Sequence, residues 1–118
     1  RGGVTVFAGT VRGITGEQQT DYLEYEAYPE MAEASFAGIA GEAQARWPDV
    51  SAISVVHRVG RLEVGDVSIV IAVAAAHRAN IFDACHYIID RIKQISPIWK
   101  KEVGPDGTAW IEGPESVV

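Results

Sequence analysis

Apolar positions along this chain recur with a period near two, then near 3.6, then two again, and each change of period marks an element. VTVFAGTV (Val4 to Val11) is rich in β-formers and predicts a first strand that ends at Arg12-Gly13. The polar loop ITGEQQT follows and, with Gly16 inside it, is expected to be mobile. From Asp21 to Ala27 the pattern alternates, with Leu23, Tyr25 and Ala27 on one face and Tyr22, Glu24 and Glu26 on the other. That predicts a half-buried strand paired with the first. Pro29 then opens a helix lasting to about Trp47, with Ala32, Phe36, Ile39, Ala40, Ala43 and Trp47 as its apolar face. Glu30, Glu33, Glu42 and Arg46 are assigned to water and given no chemistry. Gly38 and Gly41 each cost about 1 kcal/mol relative to Ala, a cost that close packing on a sheet would justify.

The second half repeats the scheme. Ser51 to Val59 alternates, placing Ile53, Val55, His57 and Val59 on one side, and His57 there is expected to be a hydrogen-bonded core histidine. GRLEVGD carries Leu62 and Val64 into a Gly65-Asp66 turn. VSIVIAVAAA (Val67 to Ala76) is apolar on both faces, which predicts a central strand covered on both sides. Next, Ile81, Ala84, Cys85, Ile88, Ile89 and Ile92 form a single helical stripe, with Asn80 as expected N-cap and Pro97 ending the helix at or before Ser96. IWKKEV reads as a strand, so Lys100 and Lys101 should face opposite ways. A turn at Pro105-Asp106-Gly107 and a short strand around Trp110 close the pattern.

Composition bounds the function. With 118 residues, 47% of them hydrophobic, one globular domain with a single core is expected. No stretch reaches the ~20 apolar residues of a membrane span, and no signal-peptide pattern opens the chain. The chain starts without Met and enters a strand almost at once, so its native start is expected upstream. One cysteine cannot form an internal disulfide, which fits a reducing cytoplasm. A formal net charge of -6 argues against non-specific nucleic-acid binding.

Against that acidic background, five of the ten Lys and Arg residues fall between His77 and Glu102: Arg78, Arg91, Lys93, Lys100 and Lys101. Local basicity in an acidic chain points to a small anionic ligand. His77 and Arg78 follow a buried strand and precede a helix, a natural anion site. Lys93 lies roughly 110° from the middle of the helical stripe, where its stem meets protein and its amine reaches a cleft. Pro97 turns the chain so that Lys93 and Lys100 can converge. Arg12 stands at a strand end beside a polar loop, a common place for a ligand contact. Taken singly, each of these cations is an ordinary solvated group; the combination is what carries weight. No P-loop, GxGxxG or metal-ligand spacing is present, and Cys85 lies on the buried stripe, where a thiol is inert. With no obvious nucleophile, the reactive group would come from the substrate or a partner.

FAGTVR (Phe7 to Arg12), LEYEAYPEMAE (Leu23 to Glu33), HRVGRLEVGD (His57 to Asp66), AHRANIFDACHYIIDRIK (Ala76 to Lys93), PIWKKE (Pro97 to Glu102) and Gly107-x-x-Trp110 follow one another along nearly the whole chain. Together these segments resemble the large, catalytic subunit family of molybdopterin synthase. The resemblance implies an α+β domain of the α/β-hammerhead kind, mainly antiparallel sheet with two main helices. It implies a homodimer that binds, at each end, a ubiquitin-like small subunit ending in a Gly-Gly thiocarboxylate. The implied reaction adds two sulfurs to cyclic pyranopterin monophosphate, giving the dithiolene of molybdopterin, with no cofactor. By position, Lys93 and Lys100 match the catalytic lysines and His77 and Arg78 the pair that holds the pterin phosphate. Thr10, Val11 and Arg12 match substrate contacts, while Lys101 and Glu102 complete the pocket wall. Relative to the family, an N-terminal segment and the usual C-terminal tail beyond Val118 are absent from this sequence. Two other readings compete: a non-catalytic module binding a ubiquitin-like tail through the same basic pocket, and a ferredoxin-like ligand sensor.

Overall fold

A computed structural model describes residues 2–114; Arg1 and residues 115–118, and with them both chain ends, lie outside the described residues. Two helices and nine strands follow one another as β1 (Gly3–Thr10), β2 (Ile14–Thr15), β3 (Gln18–Gln19), β4 (Tyr22–Ala27), α1 (Pro29–Arg46), β5 (Val50–His57), β6 (Gly60–Glu63), β7 (Val67–Ala75), α2 (Arg78–Ile95), β8 (Ile98–Val103) and β9 (Ala109–Glu112). All strand pairings are antiparallel, in a three-stranded sheet β1-β7-β5, a four-stranded sheet β6-β4-β8-β9 and the small β2-β3 hairpin. This is the expected α+β class, antiparallel sheet with two helices.

The main core lies between the helices and the three-stranded sheet. Ile71, Val73 and Ala75 of β7 meet Ile81, Ala84, Cys85, Ile88 and Ile92 of α2, and Ile39 and Ala43 of α1 close the cluster. The α2 stripe is therefore as the 3.6-residue period predicts. A second, smaller core joins Val11, Leu23 and Leu62, with Tyr25 against them. It ties the end of β1 to the four-stranded sheet, and Val11 bonds through its backbone to Gly65 and Asp66.

Several expectations need correcting. β4 does not pair with β1; it lies between β6 and β8, with Leu23 opposite both Leu62 and Glu102. Alternation fixes which face of a strand is buried but not which neighbour it takes. The ITGEQQT segment is a hairpin, Ile14 facing Gln19 and Thr15 facing Gln18, turning at Gly16 with φ 62°. β7 is central but, among the described residues, its sheet is covered on one side only: on the other side Val4, Val6 and Val56 of the flanking strands are 68%, 62% and 60% exposed. β5 ends at His57, and Val59 lies beyond it, exposed. A Cβ at Gly38 or Gly41 would meet only open space, so sheet packing does not explain either glycine. Glu42 is no bystander: its carboxylate accepts hydrogen bonds from Tyr87 Oη (2.7 Å) and Arg91 Nε (2.9 Å), joining α1 to α2. Those two donors hold its carboxyl below the usual range. The N-cap of α2 is His77, not Asn80.

Candidate active site

The buried strand β7 and the helix α2 run in opposite directions, so the two ends of α2 carry different groups. At its start, the carboxylate of Asp49 takes the place of a capping side chain. Its Oδ2 accepts the His77 backbone N–H at 2.9 Å and lies 3.0 Å from His77 Nδ1, while Oδ1 accepts from Asn80 Nδ2 at 2.6 Å. A negative group there also complements the helix dipole. Burial works against the Asp49 charge, but the hydrogen bonds from Asn80 and His77 outweigh it and hold the carboxyl below its ordinary range. Arg78, next in line, is exposed.

At the far end of α2, Lys93 stands in the last turn, exposed beside buried Ile92. Ser96 caps the helix and Pro97 leads into β8. Lys100 and Lys101 point to opposite faces, as expected: Lys100 sits opposite Tyr25 and Glu112, Lys101 opposite Glu24 and Ile111. The Lys100 amine lies 3.6 Å from Glu112 Oε2 and 3.8 Å from Glu102 Oε2. Glu102 is only 5% exposed, and its charge is tolerated because Thr20 Oγ1 and Trp110 Nε1 each donate to it at 3.1 Å. Thr10 and Arg12 are exposed at the end of β1 and Val11 is buried. Since Thr10 pairs with Val67, at the start of β7, this segment belongs to the Lys93 end.

The predicted site residues thus form two groups rather than one. Arg78 and Lys93 are fifteen residues apart on one helix, about 22 Å along its axis. Thr10–Arg12 follows the β1 residue paired with the start of β7, and Lys93 and Lys100–Glu102 run from the last turn of α2 into β8, whereas His77 and Arg78 stand at the start of α2. Spacing in sequence could not reveal this, because a helix carries its two ends apart whatever their chemistry.

Pairing separates four of these cations from the rest. Among the described residues, Arg12, Arg78, Lys93 and Lys101 make no hydrogen bond or ion pair, although the chain holds 16 Asp and Glu. Arg61 is paired with Glu63, Arg91 with Glu42, Arg58 bonds the Val67 carbonyl and Arg46 lies over Trp47 and Tyr87. Cations left free in an acidic protein are available to an anionic ligand. His57 behaves as a core histidine: Nδ1 lies 2.6 Å from the Arg58 carbonyl oxygen, the ring packs edge-on to Tyr25 at 4.6 Å, and burial holds its pKa below the ordinary value. A groove of about 580 Å³, lined by Tyr28, Met31, Gly38 and Trp99 among others, offers apolar surface rather than cations. Residues that sequence reasoning passed over are Asp49, Thr20 and Glu112. Polar side chains in a hairpin, a helix-to-strand loop and a short edge strand read as solvated, and only tertiary contact gives them partners.

The family profile described as MoaE protein matches residues 1–95. The chain belongs to the MoaE family. Membership makes it an enzyme of molybdenum cofactor biosynthesis, of the molybdopterin synthase catalytic-subunit type. It is 51% identical over 110 residues to a molybdopterin synthase catalytic subunit of Halalkalibacterium halodurans, covering 93% of this chain and 70% of that protein. Against the corresponding subunit of Staphylococcus carnosus it is 47% identical over 111 residues, covering 94% and 73%. The crystal structure of molybdopterin synthase from Staphylococcus aureus superposes with a TM-score of 0.88 at 45% identity, covering 94% of this chain and 80% of that one. A complex of subunits 1 and 2 of the molybdopterin-converting factor from Helicobacter pylori shares the fold, with a TM-score of 0.72 at 19% identity. No helix among the described residues is long and apolar enough to cross a membrane.

Proposed function

We propose that this MoaE-family enzyme transfers sulfur from the C-terminal thiocarboxylate of a ubiquitin-like small subunit to cyclic pyranopterin monophosphate, in the cytoplasm. The observation that carries the reading is the set of unpaired cations: Arg12, Lys93 and Lys101 on the side of the chain that holds the braced Lys100, and Arg78 at the other end of α2. A thiocarboxylate is anionic and nucleophilic at neutral pH, so the protein need supply no activated nucleophile. The thiocarboxylate sulfur forms a bond to a substrate carbon as that carbon's bond to oxygen breaks and the oxygen departs with a proton, giving a thioester; water then cleaves its acyl carbon–sulfur bond, leaving a thiol on the substrate and a carboxylate on the tail. Both steps build negative charge on oxygen, which fixed cations stabilise. Lys93 contacts the tail carbonyl and Lys100 the substrate, as compact charges or proton donors. Arg78, a planar multi-donor, takes the phosphate with His77, while Thr10, Val11, Arg12, Lys101 and Glu102 line the substrate.

Because Arg78 and Lys93 stand about 22 Å apart in one chain, the pair that completes a lysine site comes from a second copy. The open apolar face of the three-stranded sheet, with Val4, Val6 and Val56, supports a homodimer. With one small subunit at each end, the assembly is a heterotetramer. The test is a single-turnover assay with thiocarboxylated small subunit and cyclic pyranopterin monophosphate, reading molybdopterin as its oxidised fluorescent derivative. Product that disappears in Lys93→Ala supports the enzyme. A stable small-subunit complex that makes no product would leave only the binding module.

A further inference from the structure

β9 is a short edge strand, yet two of its side chains converge on β8. Register places Trp110 opposite Glu102 and Glu112 opposite Lys100, two residues apart and therefore on the same face. Trp110 Nε1 donates to Glu102 Oε2 at 3.1 Å, the same oxygen that lies 3.8 Å from the Lys100 amine. From the other side of the carboxylate, Thr20, itself 2% exposed, donates to Oε1 at 3.1 Å. Glu112 Oε2 then meets the same amine at 3.6 Å. A buried carboxylate with both oxygens engaged cannot rotate freely, so its charge is presented to Lys100 in one orientation.

We propose that Thr20 and Trp110 are positioning residues for sulfur transfer: they lock Glu102, and locked Glu102, opposed by Glu112, fixes where the Lys100 amine stands. This rests on the reading above that Lys100 serves the reaction. Neither residue touches substrate in this arrangement; each acts through Glu102. Removing either donor leaves the carboxylate free to turn, which misplaces the amine and slows the chemical step without weakening the grip on phosphate or tail.

The test uses the full chain with its small subunit under single-turnover conditions, with melting temperature measured alongside. Trp110→Phe removes the indole N–H and keeps the ring; Thr20→Val removes the hydroxyl and keeps the shape. Each is expected to lower the turnover rate about tenfold with substrate affinity and melting temperature nearly unchanged, and Thr20→Ser should restore it. In a Glu102→Gln background, Trp110→Phe should cost little further, because the group it positions is already altered. Rates that follow only the loss of folded protein, or full additivity with Glu102→Gln, would overturn the proposal. Lys100→Ala separates the two levels. If it keeps full turnover, the role of Lys100 itself fails; if it loses turnover while Trp110→Phe and Thr20→Val do not, only the positioning role fails.

Discussion

The two ends of helix α2 solve opposite problems with similar residues. At the start, Asp49 holds the His77 backbone, its ring and Asn80, so the helix terminus is already satisfied by the protein's own carboxylate. That leaves Arg78 as the free cation, on a rigid first turn. At the far end no carboxylate meets Lys93, while Lys100 is flanked by two, Glu102 and Glu112. One end offers a planar guanidinium on a capped helix, suited to holding a phosphate through the reaction. The other offers one unpaired ammonium and one braced ammonium, suited to charge that develops during bond making. The lesson is that total charge says little about such a site; what separates its two ends is which cations the protein leaves unpaired and which it braces.

Breaking the lysine end should have the largest effect. Lys93→Ala is expected to lower single-turnover product formation by more than about a hundredfold while leaving the fold and the small-subunit complex intact. Retained turnover would remove Lys93 from the chemistry. Arg78→Ala should act differently, raising the substrate concentration needed for half-maximal rate by about tenfold or more, with a smaller change in the maximal rate. A variant that lowered only the maximal rate would move Arg78 from holding the phosphate to the chemical step.

The third effect concerns stability. Asp49→Asn keeps the shape but removes the charge at the α2 terminus, and should lower the melting temperature by a few degrees at neutral pH. Since the Asp49 carboxyl is held below its ordinary value, its contribution is present above the unfolded carboxylate pKa and lost as pH falls through the lower folded one. The gap between wild type and Asp49→Asn should therefore close on acidification, as thermal melts across the acid range would show. A gap constant with pH would mean that shape, not charge, makes the cap.

How much of this was legible in the residues varies with the kind of information. Periods of two and 3.6 placed both helices and the long strands, because burial of one face dictates them. Pairing partners were not legible: β4 could satisfy its Leu23 face against β1 or between β6 and β8, and the hairpin before it permits either. The two-faced apolar pattern of β7 predicted cover on both sides, without saying that none of the described residues supplies it on the outer one. Glu42 looked solvated because its partners, Tyr87 and Arg91, are more than forty residues away. For the candidate site, residue types and resemblance supplied the candidates, but their division into two groups about 22 Å apart needed the course of α2.

That division permits a direct test. Lys93→Ala and Arg78→Ala chains are mixed under conditions that allow dimers to exchange, at a substrate concentration far enough below saturation that each alone forms about a tenth of wild-type product or less, and single-turnover product is measured. If each site joins the lysines of one copy to His77-Arg78 of the other, every mixed dimer holds one intact site. Random exchange then restores about a quarter of wild-type product. A mixture that stays as inactive as its components would contradict the shared site and return all of these residues to one chain.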